Sequence, residues 1–220
     1  MAGIIREPAW PKWIKHQLVR RGIHDQRVLS AMAEISRAHF VSLGRRSLAQ
    51  EDRPIPIGFR QTVSQPYIIA LSLQALALTG TERVLDVGTG SGYQAALLSR
   101  LAKEVFSIEV RPQLHKKSNA VLHALNVGNV TTRCGDGSLG WPEAAPFDRI
   151  VVGSRAPRLP RSLVDQLVNG GRLVVPVGES EGQRLLLVRK DTAGHLSQEV
   201  LERVLFVPLL GAEGSGKLAE

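Results

Sequence analysis

Two carboxylates and a glycine turn carry the chemistry this sequence offers. Residues 84–93 read VLDVGTGSGY. Val84, Leu85 and Val87 suit a strand buried on both faces. Gly88, Gly90 and Gly92 allow a sharp turn and a close approach of backbone to a ligand. Ser91 can satisfy the first amides of a helix that residues 94–101 continue. A dinucleotide site asks for G-x-G-x-x-G, so that a pyrophosphate sits on the helix N-terminus. Here the spacing is G-x-G-x-G, and Tyr93 takes the place of the third glycine. Asp86, at the strand end, repels a pyrophosphate and attracts a cationic, amine-bearing ligand. S-adenosylmethionine has that character: a sulfonium, an ammonium and no phosphate. Glu109 follows Gly88 by 21 residues, at the end of a second apolar segment, where a carboxylate suits a ribose diol. The alternative is the glycine turn of any α/β protein, which leaves Asp86 and Glu109 unexplained.

These residues need a scaffold, and the rest of the chain supplies its pattern. Residues 10–42 show helical spacing in Trp13, Ile14, Leu18 and Val19, a break at Gly22, and a second helix capped by Asp25 and carrying Val28, Leu29, Met32 and Ile35. Pro54 and Pro56 make residues 47–60 an extended crossing segment. A helix follows over 67–78, with Thr62 or Ser64 as its cap and Pro66 in its first turn. Strands at 84–87, 105–108, 130–133, 148–152 and 171–177 alternate with helices at 91–101, 113–125 and 161–167, and residues 184–189 and 202–207 read as closing antiparallel strands. This alternation predicts a mostly parallel seven-stranded sheet with helices on both faces. The expected organisation is a helical extension and crossing segment over 1–60, the main domain over 61–210 and a loose tail over 211–220. Ligands in such sheets bind beyond the carboxyl ends of the strands. Asp136, after the third strand, can accept from an adenine amino group or close an Asx-turn. Cys134 beside it reads as a small wall residue.

Composition narrows the classes. With 220 residues, 43% of them hydrophobic, the chain can build one α/β domain with a good core. No apolar run is long enough to span a membrane, and residues 1–8 lack the apolar core of a secretory signal, so a cytoplasmic protein is expected. One cysteine excludes an internal disulfide. The net charge of +8 invites nucleic acid as a partner. The basic residues are dispersed, however, and only 5% of residues are aromatic, which is poor for base stacking; a solvated basic surface is the expectation. The six histidines have no metal-ligand spacing, and neither a G-x-S-x-G elbow nor a Walker lysine occurs.

Residues 54–66 (PIPIGFRQTVSQP), Gly135-Asp136-Gly137 with residues 145–148 (APFD), residues 170–178 (GGRLVVPVG) and residues 206–209 (FVPL) resemble the protein-L-isoaspartate (D-aspartate) O-methyltransferase family over roughly residues 10–210. The resemblance implies a Rossmann-like class I S-adenosylmethionine-dependent methyltransferase fold with an N-terminal helical extension, acting as a monomer. It implies methyl transfer from S-adenosylmethionine to the free α-carboxylate of L-isoaspartyl and D-aspartyl residues in damaged proteins, after which the ester closes to a succinimide and reopens in part as aspartate. By the same resemblance Ser64 is the active-site residue, Thr62 and Val63 line the donor–acceptor junction with it, Gln61 lies on the substrate side, Ser91 and Glu109 hold the cofactor, and Asp136 with Gly137 faces the adenine.

The sequence departs from the family pattern twice. Arg60 stands where a small residue precedes the Gln-Thr pair, and Ser154-Arg155 stands where Ala-Ala is common. Both segments should border the acceptor pocket, so at least one of Arg60 and Arg155 is expected to point into it and pair with a substrate carboxylate. Two other readings compete: a methyltransferase dedicated to an aspartate of one partner peptide, and a cofactor-binding protein without turnover.

Overall fold

A computed structural model describes residues 10–179 and 182–216; the signal reading of residues 1–8 and the last four residues of the tail lie outside them. Helix α1 (Lys12–Gln17) runs into a 3-10 turn, Val19–Arg21, and stops at Gly22, whose φ of 91° no helix continues. Asp25 caps α2 (Gln26–Glu34) by accepting from the amides of Arg27 and Val28, and α2 buries Val28, Leu29, Ala31 and Met32. Two 3-10 segments, Arg37–Phe40 and Leu43–Leu48, lead on. The expected crossing segment is instead an antiparallel hairpin of β1 (Ile55–Gly58) and β2 (Gln61–Val63). Phe59 and Arg60 form its tip with φ of 52° and 57°, the left-handed geometry that matches a two-residue hairpin to strand twist. Helix α3 (Pro66–Leu76) then enters the core.

The main sheet has seven strands. They are β3 (Arg83–Val87), β4 (Glu104–Glu109), β5 (Val130–Cys134), β6 (Phe147–Val152), β7 (Leu167–Val177), β8 (Arg184–Lys190) and β9 (Leu196–Arg203), with α4 (Tyr93–Leu101), α5 (Pro112–Ala124) and α6 (Arg161–Asp165) between them. The spatial order is β5-β4-β3-β6-β7-β8-β9. Strands β3 to β7 pair in parallel, and β8 and β9 close the sheet antiparallel, as the alternation predicts. The final strand lies earlier than expected. As an edge strand with water on it, β9 is polar (LSQEVLER), whereas the apolar residues 204–207 leave the sheet to line a cavity.

Two apolar clusters sandwich the sheet. One joins Ile14, Leu18, Leu29 and Met32 to Leu73, Leu97 and Val105; the other joins Leu85 and Val87 to Phe147, Leu163 and Leu173. The N-terminal helices thus share their core with α3 and α4. At roughly 1.5–3 kcal/mol for each large apolar side chain, that burial ties them to the body. With β3 flanked by β4 and β6, the chain reverses direction across the sheet here, and a crevice opens beyond the carboxyl ends of these strands.

The tail is packed through Gly216. Asp136 Oδ2 accepts from the Ala212 amide at 2.8 Å, Ser138 Oγ from the Glu213 amide at 3.0 Å, and Glu213 Oε1 from the Ser162 hydroxyl at 2.7 Å. The polar composition of 211–216 serves these contacts.

Candidate active site

The glycine turn fixes the crevice. The amide of Gly88 donates to Ile108 O and that of Gly153 to Val87 O, both at 2.8 Å, which locks the ends of β3, β4 and β6 together. Glu109, at the end of β4, takes the Gly90 amide on Oε2 (2.8 Å) and the Arg111 amide on Oε1 (2.9 Å). Its carboxylate is therefore aimed and buried before any ligand arrives. Gly92 has a different task from the one its spacing suggests. A Cβ there would meet Ser118 Cβ at 3.3 Å, so it serves the packing of α4 against α5. Ser91 Oγ lies 3.4 Å from the Tyr93 amide, a weak cap at most.

Asp86 is fully buried and lines none of the cavities described below. Gln94 Nε2 donates to Oδ1 (2.8 Å) and Ser107 Oγ to Oδ2 (2.7 Å). Asp86 thus shapes the turn from behind, and its expected direct meeting with a cationic ligand gives way to action through Gln94. Burial pushes its pKa up to about 6, with the charge of Glu109 adding to the shift and the hydrogen bonds from Gln94 and Ser107 opposing it. Since the folded pKa is raised, the folded state binds the proton more tightly, and this group's contribution to stability falls as pH rises from about 4 to about 6. Asp86→Asn should therefore gain stability relative to the parent, by about 2–3 kcal/mol between pH 4 and 7. Urea unfolding of both proteins across that range measures it, and a constant difference would refute the assignment.

Two cavities meet beside this turn. The first is lined by Gln61, Thr62, Gly88, Gly90, Ile108, Glu109, Arg111, Gly137, Ser154, Leu209 and Leu210, among others. The second, of about 530 Å³, lies between Arg21, Pro54, Ser64, Gln65 and Ile68 on one side and the segment 202–207 on the other, with Thr62 and Gly153 at its base. A small space bordered by Thr62, Val63, Ser64, Gly88, Thr89, Gly90, Ser91, Gln94 and Gly153 joins them. Thr62 and Gly153 border all three, so they form a neck.

Three residues that the sequence reading passed over hold this neck. Arg37 is 4% exposed, and its guanidinium donates to the carbonyls of Ala49, Glu51, Arg53, Val63 and Ser64 at 2.8–3.3 Å. Asp52 Oδ1 accepts from the Tyr67 amide at 2.9 Å, capping α3; neither Thr62 nor Ser64 does so. Gln183 clamps the cavity wall, accepting from the Phe206 amide at 2.6 Å and donating to Phe206 O at 3.4 Å. A signal existed for Arg37, which sits among the apolar Ile35, Phe40 and Val41; none marked Gln183.

The remaining site candidates divide. Ser64 borders the second cavity and the neck, and its hydroxyl has no hydrogen-bond partner among the described residues. Val63 is buried and pairs with Ile55, touching the neck space. Gln61 lines the first cavity, on the opposite side from the one expected. Gly137 belongs there too: a Cβ on it would fall 2.8 Å from Val87 Cγ1, so the wall is flat at that point. Asp136 does not face the cavity; its Oδ1 takes the Ser138 amide and hydroxyl, and its Oδ2 holds the tail. The Asx-turn alternative describes it. Arg60 is exposed at the hairpin tip and lines neither cavity. Arg155 is buried, but its Nη1 donates to Gly178 O (3.0 Å) and Ser215 Oγ (3.3 Å). It fastens the C-terminal segment and borders neither cavity, so no substrate pairing follows for either arginine. Ser154 beside it lines the first cavity.

The lining of the first cavity, which is narrow at about 50 Å³, carries the kinds of groups that S-adenosylmethionine calls for. Its buried Glu109 carboxylate suits a hydroxyl pair, the apolar Ile108 and Leu209 with the flat wall at Gly137 suit a base, and the neck opens toward the second cavity. Among the described residues no group of three or more His, Cys, Asp or Glu side chains is placed to hold a metal ion, and no helix is long and apolar enough to cross a membrane.

Comparison with known proteins identifies the family. The family model described as protein-L-isoaspartate(D-aspartate) O-methyltransferase matches residues 12–214. Protein-L-isoaspartate O-methyltransferase 1 of Syntrophobacter fumaroxidans is 49% identical over 208 residues, covering 94% of this chain and 97% of the relative. The protein-L-isoaspartate O-methyltransferase of Anaeromyxobacter dehalogenans strain 2CP-1 is 52% identical over 199 residues, covering 90% and 93%. Among solved structures, a chain from Plasmodium falciparum, titled as a putative protein-L-isoaspartate O-methyltransferase in complex with S-adenosyl-L-homocysteine, superimposes with a TM-score of 0.78 at 28% identity, covering 90% of this chain and 96% of that one.

Proposed function

The chain belongs to the protein-L-isoaspartate(D-aspartate) O-methyltransferase family, and from that premise we propose the parts its residues play in the family's reaction. Its fold is the class I S-adenosylmethionine-dependent methyltransferase fold. It is a protein repair enzyme that moves a methyl group from S-adenosylmethionine to the α-carboxylate of isoaspartyl residues in damaged proteins.

The observation that carries the assignment of parts is the neck. Thr62 and Gly153 border both cavities, and no residue lining the neck is titratable. S-adenosylmethionine, when bound, supplies an electrophilic methyl group on its sulfonium. The acceptor needs no base, because a carboxylate of pKa about 4 is ionised at neutral pH. The protein's task is then alignment and exclusion of water. In this reading Glu109 takes the ribose diol, and the Gly88 and Gly90 backbones let the cofactor lie close. Gly137 flanks the base, while Gln94, oriented by Asp86, and Ser91 border the reacting end. Ser64 donates its free hydroxyl to one oxygen of the acceptor carboxylate, leaving the other to attack through the neck. Residues 204–207 keep water off the acceptor. In this reading the enzyme works as a monomer in the cytoplasm, without nucleic acid or membrane.

Ser64→Ala should lower the rate and leave S-adenosylhomocysteine affinity in place. Loss of a hydrogen bond to a charged group costs roughly 1.5–3 kcal/mol, or about tenfold to over a hundredfold in kcat/KM. The assay uses an isoaspartyl peptide beside its aspartyl twin. Methylation of the isoaspartyl peptide alone supports the repair reading; turnover of the twin at the same rate would contradict it. Full activity in the variant would remove Ser64 from the mechanism.

A further inference from the structure

Arg21 borders the second cavity and takes no part in the mechanism above. Its guanidinium carbon sits 3.4 Å from the centre of the Tyr67 ring, and its Nη1 pairs with Asp52 Oδ2 at 2.5 Å. Asp52 is itself fixed, because its other oxygen caps α3 through the Tyr67 amide. A face on an aromatic ring and one nitrogen on an anchored carboxylate hold the planar group in a single orientation, so little side-chain entropy is left to lose on binding. The Asp52 contact is the sole hydrogen bond of this guanidinium among the described residues, out of five N–H donors. The side chain is 42% exposed. Arg203 borders the same cavity, and Glu202 is the only carboxylate in its lining.

We propose that Arg21 is a specificity residue that binds an acidic side chain of the damaged protein, an Asp or Glu next to the isoaspartyl residue. The proposal rests on the repair reading above. It concerns a second carboxylate because the one that reacts must lie at the neck, which Thr62, Ser64 and Gly153 border and Arg21 does not. A pre-oriented guanidinium with unused donors recognises a carboxylate in two-pronged fashion. The net charge of +8 brings acidic segments toward the surface over longer distances.

The test uses isoaspartyl peptides that are identical except for Glu or Gln at one flanking position, walked along both sides. For the parent enzyme at low salt, kcat/KM for the best-placed Glu peptide should exceed that of its Gln twin by roughly five- to twentyfold, mainly through KM, and the ratio should shrink at high salt. In Arg21→Met the ratio should fall to about one, whatever happens to both rates together. Arg21→Lys should keep part of it. S-adenosylhomocysteine binding by each variant reports that the fold is intact. No Glu preference in the parent at any position, or a preference that survives Arg21→Met, overturns the proposal while leaving repair in place. No turnover of any isoaspartyl peptide by the parent, with the cofactor still bound, overturns the repair reading and this proposal with it.

Discussion

Arg37→Met is expected to cost about 3–5 kcal/mol of stability. Five backbone carbonyls converge on that guanidinium. Burial pushes its pKa down to about 10, with its electrostatic interactions with Tyr93 and with the Asp52 carboxylate opposing the shift, so it stays charged at neutral pH. Methionine fills much of the space but donates nothing, and buried acceptors lose their partners. Removing one side of a buried, charge-bearing network costs about this much, a large share of the roughly 5–15 kcal/mol that holds a domain together. Two of the five carbonyls belong to Val63 and Ser64, so the fraction that still folds should also turn over slowly. Urea denaturation and activity per folded molecule read the two effects separately. A loss under about 1 kcal/mol would mean that water satisfies those carbonyls without help.

Gly90→Val should abolish detectable cofactor binding. Gly90 has φ of 56°, and a Cβ there would contact Ile57 Cδ1 at 3.6 Å. One carbon has room; a β-branched side chain in a left-handed backbone does not sit there without strain of about 1–3 kcal/mol. Relief would come from turning the peptide, and the amide that turns is the one holding Glu109 Oε2. The variant therefore distorts the turn beside the first cavity and misaims the Glu109 carboxylate together. Calorimetry with S-adenosylhomocysteine should show no heat of binding, with Gly90→Ala falling between the two. Unchanged affinity in the valine variant would place the cofactor elsewhere.

How far the site could be read in advance depended on where each side chain's partners came from. The parallel strands were legible because burial on both faces leaves an unbroken apolar run, as in Val84, Leu85 and Val87. That Glu109 would lie in the crevice was legible, because it ends the strand beside the glycine turn. Asp86 was visible as a carboxylate beside the turn, but Ser107, 21 positions away, takes one of its oxygens, and no local pattern reveals that. Asp136 and Arg155 share one reason for escaping the sequence: each holds a residue of the tail, Ala212 and Ser215 respectively, in a segment that reads as loose chain. The hairpin tip at Phe59 and Arg60 escaped notice because left-handed backbone usually announces itself with glycine or asparagine, and here it does not. The apolar neighbours of Arg37 were a signal easily passed over, since an arginine on a helical segment normally snorkels to water.

Leu209 and Leu210 belong to the wall of the first cavity, and the chain reaches them only after the whole sheet, β3 to β9, has been laid down. On the ribosome this order separates two events. The emerging polypeptide can pair all of its strands while the first cavity still lacks one side and the second apolar cluster still lacks Leu209. Only when residues 209–216 have left the exit tunnel and latched onto Asp136, Ser138 and Ser162 is the wall of the first cavity complete. Translation products that stop before residue 209 would then carry every strand and yet leave that cavity open on one side.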